Sequence, residues 1–308
     1  SYIAHGKTIP VANLMASTPP TTPPTTSIIV RKDFSDGDKW KDDNGVDWTR
    51  YISGDRATES GRVADWDLLD NDIAILSLTD LSESWATRQM NICMALNISP
   101  SSGNVYMVGI ESTNEIRFEP NLTGTFVRVM LSVTSSTGTE IALIDLNEDH
   151  LDTAQGGTGL AYSDGNVSPA DRDKSIGDPR GVAFTPDGAT VYISGMGSDN
   201  VIALNSSTNA RYSEGHTIEV GQGPTGIAHH GTKDRLYVVN KFGSSVSVIN
   251  TTTAGSESIE QTLDFHDPTP TFINVGRVHF YGTHENSGLG QIACASCHID
   301  GRMDRLSW

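Results

Sequence analysis

Five consecutive residues near the C-terminal end, Cys294-Ala295-Ser296-Cys297-His298, hold the most specific chemistry in the chain. Residues three and four apart share one face of a helical turn. Cys294, Cys297 and His298 can therefore point the same way, two thiols beside one imidazole. Thiols at that spacing reach two vinyl groups on one porphyrin edge and form thioethers, and the imidazole that follows reaches the iron. C-x-x-C-H is accordingly the attachment pattern of a covalent c-type haem. With 3 cysteines and 9 histidines in 308 residues, the pattern is seldom met by chance.

Other uses of the two cysteines fit less well. A structural zinc site takes four ligands, usually from two separated pairs, and the one remaining cysteine, Cys93, is far upstream. A thioredoxin-like pair expects a βαβ setting, which the neighbouring sequence does not offer. A disulfide between Cys294 and Cys297 stays open for a haem-free chain. Cys93, between Ile92 and Met94 in an apolar run, reads as a small buried hydrophobe.

The flanks supply further candidates. His279 and His284 are close enough upstream to be the sixth, distal iron ligand, whereas Met303 follows His298 too closely to reach the opposite haem face. Arg302 and Arg305 are placed to pair with haem propionates. Two oxygen-rich loops could hold Ca²⁺, one around Asp33, Asp36, Asp38, Asp42, Asp43 and Asp47, the other around Asp164, Asp171, Asp173 and Asp178. Neither has the register of a twelve-residue calcium loop, and a solvated acidic loop is the simpler reading. His229-His230 reads as structural or surface histidine.

Composition narrows the partners. Acidic residues outnumber basic ones 38 to 21, a net charge of −17. That surface repels phosphate backbones, which argues against nucleic acid and for a basic redox protein or cations. There is no run of about eighteen apolar residues to span a membrane. Covalent haem attachment takes place outside the bacterial cytoplasm, so a periplasmic or extracellular, exported protein is expected, with Ser1 the start of a mature or trimmed product. No G-x-S-x-G elbow, phosphate loop or H-E-x-x-H pattern is present.

The elements that must position these residues show as repeats. Gly181-Val182-Ala183-Phe184-Thr185-Pro186-Asp187-Gly188 and the strand-like Val191-Tyr192-Ile193 recur 45 residues later around Gly226-Ile227-Ala228 and Leu236-Tyr237-Val238. A third copy lies 86 residues before the first, aligning Pro100 with Pro186 and Tyr106 with Tyr192. Each copy reads as strands split by Pro-Asp-Gly, Ser-Ser-Gly or Gly-Ser-Ser turns. Repeats of about 40–45 residues built this way are propeller blades. The expected fold is all-β: a β-propeller of four-stranded blades, seven to the ring, with a short C-terminal helical haem segment.

Two resemblances extend this. The pattern P-x-G-(V/I)-A, D-G, (V/L)-Y-(V/I) over residues 90–250 resembles YVTN-type β-propeller repeats, also seen in lactonase-like and surface-layer proteins. The stretch Gly276–Tyr281, then Ser287 and Gly290, then the haem motif, resembles the first haem segment of the di-haem cytochrome c peroxidase and MauG-like family; Phe280 matches its aromatic. This second resemblance covers about thirty residues and implies electron transfer, or peroxidase-like or MauG-like oxidase chemistry, with a second C-x-x-C-H that this sequence lacks.

The expected organisation is a propeller over residues 1–272, interrupted by a Pro/Thr-rich loop at 17–27, and the start of a cytochrome c-like segment over 273–308. Ten residues follow His298, too few to cover a haem, so a longer protein is expected. The expected function is an extracytoplasmic c-type haem protein on a propeller scaffold. The alternative is a propeller binding or scaffold module, for a partner protein or a metal, whose haem segment is a remnant. A lactonase-like hydrolase would need carboxylates and a metal converging in the channel, which no cluster in the sequence reveals.

Overall fold

The computed structural model of the chain describes residue 21 and residues 30–42, 45–67, 71–112, 127–151 and 167–302. Contacts divide the chain into two compact units. One comprises 1–70, 112–126 and 303–308, the other 71–111 and 127–302. Residues up to 70 thus cluster apart from the blades, whereas the haem-motif segment through Arg302 belongs to the same unit as the blades.

In the first unit, β1 (Arg31–Asp33) and β2 (Lys39–Lys41) form an antiparallel hairpin followed by a one-turn helix, α1 (Thr49–Ile52). Trp40, Val46, Trp48, Tyr51 and Ile52 make its core. Asp42 is buried there, accepting from Trp48 Nε1 at 2.6 Å and from the Val46 N–H at 3.1 Å, so its desolvation is offset by two donors. The Pro/Thr tract, apart from Thr21, lies outside the described residues.

The second unit is built from antiparallel sheets. A hairpin of β3 (Ile73–Leu76) and β4 (Glu83–Ala86) precedes a four-stranded meander of β5 (Ile92–Ile98), β6 (Val105–Ser112), β7 (Val127–Thr134) and β8 (Glu140–Asp145). After two short helices, α2 (Glu148–Leu151) and α3 (Pro169–Arg172), comes the next blade. It consists of β9 (Pro179–Phe184), β10 (Thr190–Gly195), β11 (Asn200–Asn205) and β12 (Ala210–Arg211), with β13 (Ile218–Glu219) also paired to β11. The last blade is β14 (Pro224–His229), β15 (Arg235–Asn240), β16 (Ser245–Asn250) and β17 (Ser258–Asp264). β9 packs against both β5 and β14, so the first strands of the three blades lie side by side.

The sequence repeat is a repeat of register. Tyr192 pairs with Ala183 on one side and Ala203 on the other; 45 residues on, Tyr237 pairs with Ala228 and Val248. In the earliest copy Tyr106 pairs with Asn97, where the alignment puts it. Turn chemistry explains the spacing. At Pro186-Asp187-Gly188 the Asp187 carboxylate accepts from Thr185 Oγ1 at 2.6 Å and the Ala189 N–H at 3.0 Å, and Gly188 takes φ +72°, a conformation glycine adopts without steric cost.

The blade β9–β12 is buried on both faces. Ala183, Tyr192, Val201 and Ala203 on one face meet Leu236, Val238 and Ile249 of the next blade. The expected propeller-type, all-β architecture with a short helical C-terminal segment is what the chain adopts, and three blades, two of four strands and one of five, fall within the described residues. Cys93 departs from expectation: it is exposed, not buried. Strand alternation, not the apolarity of its neighbours, sets its direction, and the register shifts between Cys93 and Ala95.

This arrangement predicts sharply different costs for two neighbours on β15. Leu236→Ala, in the inter-blade cluster, is expected to lower stability by about 2–5 kcal/mol, whereas Val239→Ala, on the outward face, should cost at most about 0.5 kcal/mol. Urea unfolding of the two variants measures both; equal losses would contradict the assignment of faces.

Candidate functional site

The C-x-x-C-H motif opens with α6 (Cys294–Cys297), a single turn, and His298 caps it with non-helical backbone (φ −101°, ψ 53°). Ala295 and Ser296 are the residues it buries, each at 1% exposure. Ser296 Oγ accepts from the Ala293 N–H at 3.0 Å, and the His298 N–H bonds to the Cys294 carbonyl at 3.0 Å. With the middle of the turn facing inward, Cys294 and His298 are exposed and Cys297 is half-buried beside them. The two cysteines are not joined in a disulfide. A thioether-bound haem with a histidine ligand requires two accessible thiols and an imidazole close by in the chain, so these residue types and their exposure fit that group.

The turn is held by what precedes it. Helix α4 (Thr271–Tyr281) packs against α6, with the Phe280 ring 6.4 Å from the His298 ring. The Tyr281 ring lies 4.7 Å from Phe242, in the β15–β16 turn, tilted by 43°, and the Arg277 guanidinium lies 5.1 Å over the same Phe242 ring. The opposite side of α4 is open. Phe272, Val275 and His279 lie at i, i+3 and i+7 and are all exposed.

A second short helix, α5 (Thr283–Asn286), bolts the segment to the blades. Thr283 is fully buried, and its N–H donates to the Gly197 carbonyl at 2.8 Å. It sits against Gly177 and Gly197, where an added Cβ would come within 2.6 and 2.7 Å of its side chain. Any larger residue at either position would push α5 away. His284 Nε2 donates to the Ser175 carbonyl at 2.9 Å, and Ser175 Oγ donates to the Leu289 carbonyl at 2.6 Å. His150, itself fully buried, reaches Ser175 Oγ at 3.1 Å and Asp149 at 2.8 Å. Burial, with Arg211 and Lys174 nearby, lowers the His150 pKa despite Asp149.

The expected site residues thus separate. Cys294 and His298 are exposed, Cys297 is half-buried between them, and His279 is exposed on α4. His284 has its Nε2 committed to Ser175. Arg302 is exposed, and Arg305 and Met303 lie outside the described residues. A cation absent from the sequence reading meets the motif instead. Arg180 on β9 pairs with the buried Asp178 at 3.0 Å and with Asp300, just after His298, at 3.2 Å. Comparing repeats would have flagged one of the missed residues: Gly197 stands where the next copy has Phe242, a departure that makes room for Thr283.

The two acidic loops are tied internally. Asp33 bonds to Ser35 and Lys41, Asp36 to Lys39 and Lys41, and Asp47 caps the Thr49 N–H. Asp171 pairs with Lys174 and Asp178 with Arg180. Asp43, Asn44 and Asp164 lie outside the described residues, among which no group of three His, Cys, Asp or Glu side chains is arranged to hold a metal. His229 is engaged by the His230 carbonyl and Thr251 and stacks on Tyr192.

Between α5 and the β10–β11 turn lies a cavity of about 350 Å³, lined by Arg172, Asp173, Asp199, Glu219, His284 and Glu285. Burial, helped by Glu285, pushes the Asp199 carboxyl up to about 6, although it accepts from the Gly223 N–H.

Two outcomes follow from this geometry. Ser175→Ala removes the hydroxyl between His150 and Leu289, costing about 1–3 kcal/mol locally; amide exchange in 283–291 should rise roughly tenfold or more while the inner strands stay protected. Asp199 holds its proton more tightly in the folded chain than at the ordinary value of 3.8, so its favourable contribution is present below 3.8 and is lost as pH rises through about 6. Asp199→Asn, which keeps the acceptor and tolerates the positive φ, should therefore stabilise the chain by about 1–2 kcal/mol at pH 8 and leave it unchanged near pH 3.5. Urea midpoints at the two pH values check the sign.

Comparison with known proteins concerns the blades. A family described as "Lactonase, 7-bladed beta-propeller" matches residues 129–276, ending before α6. No curated protein matches. Among solved structures, hydrazine synthase of Kuenenia stuttgartiensis is similar at 16% identity and a TM-score of 0.40, over 56% of this chain and 48% of that one. The periplasmic gluconolactonase PpgL of Pseudomonas aeruginosa is similar at 13% identity and 0.40, over 61% and 46%. A chain of a nidogen–laminin complex is similar at 14% and 0.39, over 65% and 58%. The match spans about half the length of these proteins. The chain is thus an all-β protein of propeller type whose middle half resembles the seven-bladed lactonase family.

Proposed function

We propose that this chain is an extracytoplasmic c-type haem protein, in which a propeller scaffold carries a haem-binding segment for electron transfer. The observation that carries the reading is the exposure along the C-x-x-C-H motif, with Cys294 and His298 exposed, Cys297 half-buried, and Ala295 and Ser296 buried between the cysteines. Cys294 and Cys297 would hold the group covalently and His298 would be the proximal iron ligand. Haem, when bound, supplies one-electron chemistry.

The chain's own residues orient and screen that site. Phe280 packs beside the His298 ring, and Arg180 ties the following turn to β9 through Asp300. His279, exposed on the open face of α4, is the better of the two distal candidates, since Nε2 of His284 already donates to Ser175. Arg302 is the described arginine placed for a propionate. A net charge of −17 favours a basic redox partner. The local resemblance to the di-haem peroxidase and MauG-like family supports a place within a larger oxidase; periplasmic or extracellular location follows from where covalent attachment occurs. No helix among the described residues is long and apolar enough to cross a membrane.

A second reading, a propeller module that binds a partner, is favoured by the extent of the lactonase-family match, which covers blades and stops before the cysteines. One experiment separates the two. The chain is produced with a bacterial c-type haem maturation system, and a pyridine haemochrome spectrum is taken with an intact mass. One covalently attached haem is expected, abolished in Cys294→Ser/Cys297→Ser. A haem-free product from the unsubstituted chain overturns the haem reading and leaves the binding module.

A further inference from the structure

The first strands of the three blades share an irregularity. In β9, Pro179 pairs with Gly195 and Gly181 with the adjacent Ser194, which leaves Arg180 as the extra residue of a bulge. The register shifts at the same place in β5 and β14, where Met94 and Thr225 are the matching residues. The repeat therefore asks for a bulge here, but not for an arginine. Bulges re-aim side chains and are common beside functional sites.

The residue that holds Arg180 departs from the repeat as well. Asp178 stands where the next blade has Gly223, which takes φ +66°. Asp178 adopts φ +49°, uncommon for a residue other than glycine, and is 1% exposed. Its carboxylate accepts from Arg180 Nε at 3.0 Å and from Nη2 at 3.4 Å. A planar guanidinium gripped along one edge by a buried carboxylate is fixed in direction. Its remaining nitrogen, Nη1, donates to the two oxygens of Asp300 at 3.2 and 3.4 Å.

Asp300 governs the backbone just after His298. It has φ +52° and Gly301 has φ +74°, two left-handed residues in a row. The Gly301 N–H closes that turn on the His298 carbonyl at 3.2 Å, while the His298 N–H bonds back to the Cys294 carbonyl at 3.0 Å. His298 is thus held between α6 and a turn whose middle residue is fastened to β9.

We propose, on the haem reading above, that Arg180 is a positioning residue for the proximal histidine. Acting through Asp300, it sets the orientation in which His298 meets the iron, and with it the reduction potential. Axial ligation is one of the means by which a protein sets that potential. The two departures from the repeat, at 178 and 180, are what this role requires and the blade does not.

The test is the midpoint potential of the haem-loaded chain and three variants. Arg180→Met removes a cation and Asp300→Gly an anion, so charge alone would move the potential in opposite directions. Both break the same bond, so loss of position moves it in one direction. The expected shift is about threefold or more in the ratio of reduced to oxidised protein, about 28 mV at about 59 mV per tenfold for one electron. Asp300→Asn loses the charge but keeps an acceptor and tolerates positive φ, so it should stay within that margin of the unsubstituted chain. Asp300 has a side chain 71% exposed, and replacing it leaves the Arg180–Asp178 pair intact. The Gly and Asn variants therefore decide the matter even where Arg180→Met fails to fold, since both remove the charge and only Gly removes the bond. Opposite shifts in Arg180→Met and Asp300→Gly, equal shifts in the Gly and Asn variants, or no shift at all overturn the proposal and leave the haem reading standing. An unsubstituted chain without haem overturns both.

Discussion

A four-stranded sheet of this repeat is apolar on both faces and stable only between two neighbours. Tyr192 shows the requirement. It sits mid-strand, fully buried, with Ala183 and Ala203 beside it and Leu236, Val238 and Ile249 of the next blade above. Burying side chains of this size stabilises by about 1.5–3 kcal/mol each, but only when the adjacent blade is present. Stability is thus shared between repeats, and the blade β9–β12, covered on both sides, is secured by both of its neighbours.

The haem-motif segment depends on that secure blade. Its anchor points are backbone carbonyls of Ser175 and Gly197, and the two glycines flanking Thr283 lie at the end of the inner strands. Both glycines lie in the connections beside β9, β10 and β11, where the Gly197 N–H bonds to the Gly177 carbonyl at 3.1 Å, so the segment is bonded to backbone tied to the blade. The polar chain from Asp149 through His150 and Ser175 to Leu289 satisfies groups that would otherwise be buried without partners. Its geometry resembles that of a catalytic serine, but the Ser175 hydroxyl is given to a carbonyl and the imidazole is shut away from solvent. It is a fastening.

One consequence is that the cavity between α5 and the β10–β11 turn is framed by the fastening itself. Asp173, Asp199, Glu219 and Glu285 gather there because helix and turn are brought together by Thr283 and His284. The raised carboxyl of Asp199 is the electrostatic cost of that closure, since a buried carboxylate among others holds its proton more tightly.

The residue types and their spacing by themselves determined the blades and marked the C-x-x-C-H motif as the candidate site. Turn signals at Pro186-Asp187-Gly188, β-rich runs and the 45-residue offset define strands and register locally, because side-chain direction alternates and turn residues set the pairing. The motif was legible because i, i+3, i+4 spacing on one turn is a local property. Cys93 marks the limit: apolar neighbours did not reveal which face of β5 it occupies. Only the tertiary structure decided that His284 is an anchor, that Arg180 rather than a downstream arginine meets Asp300, and that Gly177 and Gly197 clear a seat for Thr283. Those contacts join residues about a hundred positions apart, and no local spacing rule encodes which distant backbone a side chain will meet.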